Sequence, residues 1–288
     1  MLSVQELWRY PVKSMGGEKI AAADIGMNGI PYDRGWAVRD ERAGAIRTAR
    51  LLPALLLYQA RYIEGTWAGL VPHVEISMPD GGTVRSDDPD VDRILSDSIG
   101  RPVTLWSLRP PEDSEHLRIT PLEPGEIEGE WRRQMGLLPD DPMPDFSGIP
   151  AKILNDLKDY ATPPGTYFDA FTMNVLTTSS MRHLQGLLPD ADIRVERFRP
   201  NILVDDQGES DGIREHEWVG RDIAIGGARL KVVMDCPRCT IASARQPGID
   251  KDTRISRAMV NHMRQSISVY CEVAAPGTVR EKDAVLVR

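Results

Sequence analysis

K-V-V-M-D-C-P-R-C-T-I-A-S-A, residues Lys231 to Ala244, places two of the chain's three cysteines on either side of a Pro-Arg pair. Val232, Val233 and Met234 read as the end of a buried strand, and Pro237, which lacks a backbone donor, stops the ladder there. Cys236 and Cys239 are therefore expected on a turn. Arg238 precedes Cys239, and a cation beside a thiol favours the anionic form that attacks electrophiles and binds soft metals. The pair also has a plain structural reading, because cysteine is among the most buried residue types.

Upstream, Trp218 to Gly227 reads as a strand and turn leading into this stretch, and Arg194 to Asp206 places Arg199, Pro200 and Asn201 just before the apolar Ile202-Leu203-Val204. Arg194, Arg197 and Arg199 crowd together there, enough for a local basic pocket for a small anion. Tyr167 to Pro189 gives a strand over Met173 to Leu176, an N-cap at Thr177 or Thr178, and a short helix from Ser180 to Leu188 closed by Pro189. Asp169 precedes that strand, where a carboxylate could cap, pair with an arginine or donate a proton. Downstream, Thr253 to Ile267 patterns as an amphipathic helix with Ile255, Met259 and Met263 on one face, and Val279 to Val287 as a closing strand.

The N-terminal part reads as short strands: Ser3 to Pro11, then turns at Gly26, Gly29 and Gly35, and a hairpin at Asp80-Gly81-Gly82. Lys13 and Ser14, in a loop ending in two glycines, are residue types that hold a phosphate, although a solvated lysine in a turn has the same pattern. Arg34 enters a buried strand beside Asp33, so ligand binding and a local ion pair are both open. Val91, Ile94, Leu95 and Ile99 share a helical face, with Gly100 as the stop, predicting a short helix over 91–99. From Arg109 to Pro150 the chain is rich in Pro, Asp, Glu and Gly with little periodicity, and reads as a linker or lid bordering the site.

The 288 residues carry 35 basic and 43 acidic side chains, a net charge of −8 that argues against an extended nucleic-acid surface. The longest apolar run, Leu51 to Leu57, is broken by Pro53 and too short to span a bilayer, and the start M-L-S-V-Q-E-L-W has no export pattern. With three cysteines, two of them close together, the expectation is a cytoplasmic, reducing address and no membrane span.

R-Y-P-V-K-S-M-G-G-E, Y-D-R-G-W-A-V, F-R-P-N-I and C-P-R-C, in that order, resemble the signatures of MOSC-domain proteins with an N-terminal β-barrel, the group that includes the mitochondrial amidoxime-reducing component and its bacterial relatives. The resemblance implies a β-rich α+β fold: a barrel-like N-terminal domain over 1–125 packed on a MOSC β-barrel domain over 126–288 with flanking helices. It implies a molybdenum-molybdopterin cofactor ligated by Cys239, with Lys13, Ser14 and Arg34 holding the pterin and its phosphate, and Arg199, Asn201 and Arg238 lining the cleft. Asp169 matches an acidic residue near the metal, assigned to proton delivery or positioning of a metal-bound water. Ala170, Phe171 and Thr172 depart from the small hydroxyl residues and proline of the amidoxime reductases, so that pocket wall is expected to differ. No fused iron-sulfur domain is expected beyond Arg288, and hence a separate electron donor such as a ferredoxin, flavodoxin or reductase is implied. A pyridoxal phosphate site is not expected.

These expectations describe a molybdenum-cofactor reductase of N-hydroxylated or N-oxide small molecules. Three other readings stand beside it. Cys239 could carry a persulfide for sulfur transfer, or serve a non-catalytic cofactor-binding module. Cys236, Cys239, His262 and Cys271 are also the right ligand types for a structural zinc site.

Overall fold

The computed structural model describes residues 1–123 and 125–288. The N-terminal part supplies strands β1 (Ser3–Arg9), β2 (Glu18–Ile20), β3 (Ala22–Ile25), β4 (Trp36–Asp40), β5 (Ala45–Ile46), β6 (Gln59–Tyr62), β7 (Val74–Ser77), β8 (Thr83–Arg85) and β9 (Val103–Ser107), with helix α1 (Val91–Ile99) before the last of them. The connecting region carries helices α2 (Ile127–Met135) and α3 (Ala151–Asp159). The C-terminal part runs β10 (Met173–Thr177), α4 (Thr178–Leu187), β11 (Ile202–Asp205), β12 (Asp222–Ile225), β13 (Ala228–Pro237), α5 (Thr253–His262), β14 (Ser266–Ala275), β15 (Gly277–Arg280) and β16 (Val285–Val287).

The main sheet has the order β16-β12-β13-β14-β10-β11-β1-β2. The two N-terminal strands hydrogen-bond into it, β1 antiparallel to β11 with Leu7 opposite Ile202, and β3 pairs with β15 in a separate two-stranded ribbon. All five residues of β10 are buried. A strand covered on both faces is read from sequence as a continuous apolar run rather than an alternation, and Met173-Asn-Val-Leu is nearly that. Leu7, Val175, Ile202, Val232 and Val269 meet in one cluster beneath the sheet, where each buried aliphatic side chain contributes about 1.5–3 kcal/mol. A second cluster, with Trp36, Leu55, Tyr58, Ile76 and Leu95, serves the two three-stranded sheets β5-β4-β9 and β6-β7-β8. The expected barrels need qualification, since the strand ladders do not close. The main sheet runs from β16 to β2, and the start of β1 is drawn toward β16 by the Ser3–Ala284 bridge and by backbone bonds from Val4 N–H to Asp283 O, Lys282 N–H to Val4 O and Val285 N–H to Leu2 O.

Helix α1 ends at Gly100 in the left-handed conformation, and Thr177 caps α4 by accepting from the Ser180 N–H. Three expectations are corrected. The segment from Arg109 to Pro150 contains α2, and α3 comes directly after it; Pro124 within it lies outside the described residues. The amphipathic helix stops at His262 rather than Ile267, because Arg264 and Gln265 turn left-handed (φ 49° and 55°) and send Ser266 and Ile267 into β14. The predicted closing strand is likewise two strands, β15 and β16, split by a turn through Lys282 (φ 71°).

The pair β13 and β14 positions the cysteine stretch. Register shifts fall between Val232 and Met234 and between Asp235 and Pro237, the last paired residue of β13. Such bulges bend a strand and re-aim the residues beyond them. Cys239 then starts a 3-10 turn over Thr240–Ser243.

Candidate functional site

At the end of β13 a cavity of about 450 Å³ opens between the cysteine turn, the loop before β10, the loops around residues 13–14, 34 and 47–50, and helix α2. Cys239 lies half-buried on its wall, whereas Cys236 and Cys271 are buried, and all three are free thiols. Lys13, Ser14, Arg34, Asp169, Arg199, Asn201 and Arg238, drawn from across the sequence, all line this one cavity.

Asp169 is a cavity-lining carboxylate held between two cations. Lys13 Nζ donates to its Oδ1 at 2.5 Å and to the Tyr167 carbonyl at 2.7 Å, and Arg50 Nη2 lies 3.5 Å from Oδ2. Burial opposes ionisation of Asp169, but the Lys13 and Arg50 charges outweigh it and hold the carboxyl well below the usual range. Burial lowers the Lys13 ammonium in turn, with Asp169 restoring part of the loss. Arg50, absent from the residues singled out in the sequence, is also held charged by Cys239 and Tyr270, although burial works against it. Its only sequence signal was a basic residue after Thr48-Ala49, which says nothing about what folds against it. Ser14 adopts a left-handed backbone (φ 71°), and its hydroxyl accepts from the Ala49 N–H at 2.9 Å, tying the two loops together.

Arg34 and Arg199 flank the Tyr10 ring, 4.8 Å and 4.3 Å from its centroid, and both have positive φ. Holding two guanidiniums on one ring keeps like charges close without exposing either to bulk water. Burial and the neighbouring Arg34 lower Arg199 to about 10. Arg34 does pair with Asp33, yet it still faces the cavity. Asn201 is 1% exposed and its amide is fully used: it donates to Asp33 Oδ2 and Trp8 O and accepts from the Asn174 N–H. Asn201 therefore braces the wall.

Arg238 Nη1 donates to Cys236 Sγ at 3.0 Å and Nη2 to the Phe198 carbonyl at 2.7 Å, while Asn174 Nδ2 donates to the same sulfur at 3.3 Å. Asn174 lines the cavity, and its Oδ1 is buried with no partner among the described residues. The cavity also has an apolar part, with Trp131 against Phe146 at 4.8 Å and Phe171 stacked on Tyr270 at 5.1 Å.

The zinc reading fails on geometry. No group of three or more His, Cys, Asp or Glu side chains is placed to hold a metal among the described residues; His262 is exposed on α5 and Cys271 is buried in the sheet core. The basic crowd around Arg197 also divides. Only Arg199 reaches the cavity; Arg194 pairs with Asp192 at the surface, and Arg197 is buried on backbone carbonyls.

The MOSC domain family matches residues 165–286 and the MOSC N-terminal beta barrel domain matches residues 1–93. Mitochondrial amidoxime-reducing component 1 of Mus musculus is 27% identical over 267 residues, covering 88% of this chain and 67% of that protein. Mitochondrial amidoxime reducing component 2 of Homo sapiens is 26% identical over 262 residues, covering 88% and 68%. A crystal structure of the YUAD protein from Bacillus subtilis aligns over 100% of this chain and 96% of its own with a TM-score of 0.44 and 11% identity. Among the described residues no helix is long and apolar enough to cross a membrane. With both matched segments in the expected order around the shared cavity, the chain belongs to the MOSC-domain proteins that carry an N-terminal MOSC β-barrel domain.

Proposed function

We propose that the chain is a molybdenum-cofactor-dependent reductase that removes oxygen from N-hydroxylated or N-oxide compounds, with Cys239 as the metal ligand. One observation carries the reading: a single accessible thiol opens on a cavity ringed by Lys13, Arg34, Arg50, Arg199 and Arg238. One thiolate without a second or third protein ligand suits a soft metal whose remaining ligands come with its own cofactor. The surrounding cations suit the phosphate of such a cofactor, and the unpartnered Asn174 Oδ1 offers an acceptor for a ring N–H. The residues fit the group.

In this reading Lys13, Ser14 and Arg34 hold the pterin and its phosphate, and Arg199, Asn201 and Arg238 line the cleft. When bound, the cofactor supplies two-electron oxygen abstraction. Overall, the substrate N–O bond is broken, two electrons arrive from a separate donor protein of the ferredoxin, flavodoxin or reductase class, and two protons are taken up, giving an N–H bond and water from an N-hydroxylated compound, or the free amine and water from an N-oxide. Asp169 is held ionised by Lys13 and Arg50, so it orients a substrate N–H or O–H as an acceptor, and the protons enter from solvent reaching its 43% exposed side chain. The apolar wall of Trp131, Phe146 and Phe171 receives the substrate's body. The compartment is cytoplasmic.

The test is turnover of N-hydroxylated substrates with a chemical reductant, using protein made in a host that synthesises molybdenum cofactor. Wild type should reduce them and Cys239→Ala should not. Equal rates in the two proteins would remove Cys239 from the chemistry.

A further inference from the structure

Helix α2 ends on the cysteine turn. Of its last four carbonyls, those of Arg132 and Arg133 accept from the Gly136 N–H within the helix cap. The last two, Gln134 and Met135, have no such partner, as is usual at a helix C-terminus. Thr240 Oγ1 donates to Gln134 O at 3.4 Å, and Gln265 Nε2 donates to Met135 O at 2.8 Å. The residues immediately around Cys239 thereby finish the helix: the same Gln265 amide donates to Arg238 O at 3.1 Å, and the Gln265 carbonyl accepts the Arg238 N–H at 2.9 Å. Gly136 is left-handed (φ 69°), and a Cβ there would lie 2.9 Å from Thr240 Cγ2, so the contact is close as well as polar.

Gln265 keeps this position at a cost. It is 4% exposed, its φ is 55°, and its Oε1 has no hydrogen-bond partner among the described residues. Left-handed backbone at a non-glycine residue and an unpaired buried oxygen are each unfavourable, and they persist where the surroundings demand that side chain.

We propose that Gln265 is a positioning residue that joins the C-terminus of α2 to the Arg238-Cys239-Thr240 turn, so that Trp131, Gln134 and Met135 form the cavity wall at a position set from the thiol side. The helix and the turn then move as one unit, and loss of the Gln265 amide frees the wall without disturbing the sheet. The clamp stands whether or not Cys239 binds a metal.

Gln265→Gly separates the clamp from the backbone, since glycine adopts the left-handed conformation readily while removing the amide. Hydrogen exchange of the α2 amides should accelerate by about tenfold, the scale set by one lost hydrogen bond, with exchange in β13 and β14 unchanged. In the full-length chain purified from a host without the cofactor, alkylation of Cys239 by a bulky maleimide should rise relative to iodoacetamide, with Cys239→Ser as background. Thr240→Val removes the second contact and should act in the same direction, which keeps the test available if Gln265→Gly folds poorly. Uniform acceleration across all elements, or unchanged α2 exchange and an unchanged ratio of the two reagents, would overturn the proposal.

Discussion

Lys13 and Asp169 meet at 2.5 Å although 156 residues separate them in the chain, closing the first loop of the protein onto the loop before β10. The ammonium is buried, with a side chain 6% exposed, and among the described residues the carboxylate is its only anionic partner in contact, the other acceptor being the Tyr167 carbonyl. Asp169→Asn should therefore lower stability at neutral pH by about 1–2 kcal/mol, less than a fully buried pair because Asp169 reaches solvent. The sign with pH is set by Lys13. Burial depresses its pKa below the unfolded value, so the penalty is full while Lys13 stays protonated and shrinks as pH rises through its folded pKa. Denaturant unfolding of both proteins from pH 7 to 10 should show the gap narrowing; a gap that widens would contradict this assignment.

Arg197 is 1% exposed and has no carboxylate partner among the described residues. Its guanidinium donates to the carbonyls of Asp192, Ala242, Ala244 and Asp250, linking the turn after Cys239 to the chain ahead of α5. Arg197→Met should cost on the order of 3 kcal/mol by leaving these carbonyls unpaired. Arg197→Lys should recover only part of it, since a point charge cannot span a planar array. A loss under about 0.5 kcal/mol for Arg197→Met, the range of ordinary surface changes, would show that the carbonyls find other partners.

Arg197 also marks where sequence reading stops. Beside Arg194 and Arg199 it looks like part of an anion pocket, and only the packing reveals that it faces backbone. Arg50 is the converse case, legible only once Asp169 is folded against it. Local signals were readable where the chemistry is local: the Gly100 stop of α1, the Thr177 cap of α4, and the Asp80-Gly81-Gly82 turn between β7 and β8. Helix α2 was not, because its sole buried residue is Met135, it contains Gly129, and it is held by the Glu128–Arg132 pair and by its docking on the cysteine turn. Helix α3 has no buried residue and no side-chain cap. Both do carry short apolar stripes, Ile127-Trp131-Met135 and Ile153-Leu154-Leu157, but each helix spans only nine residues beside Pro- and Gly-rich chain, which masks the helical signal.

Asp141 and Arg257 form a two-pronged pair at 2.6 and 3.0 Å, joining the region after α2 to α5. The Arg257 bonds and the Leu138 N–H bring Asp141 down to about 2. A depressed carboxyl contributes stability above its unfolded pKa of about 3.9 that disappears as pH falls toward its folded value. Melting temperature followed from pH 5 to 2 should fall less steeply in Asp141→Asn than in wild type. Parallel curves would mean that this pair adds nothing to folding.

The two cysteines of the motif should separate on stability. Cys236 is buried and accepts from Arg238 and Asn174, so Cys236→Ala should cost about 1–3 kcal/mol in unfolding free energy. Cys239 is half-buried on the cavity wall, where its neighbour is the Arg50 guanidinium rather than the sheet core, so Cys239→Ala should stay within about 0.5 kcal/mol of wild type. Reversal of that order would place the structural thiol at 239.

Whether Cys239 ligates molybdenum is decided by the metal and pterin content of the wild type and Cys239→Ala, both purified from a host able to make molybdenum cofactor. Near-equal amounts of metal and pterin, approaching one of each per wild-type chain, are expected, with loss of the metal from a variant that melts like wild type. A folded wild type with neither, or a Cys239→Ala protein that retains both, would contradict the assignment.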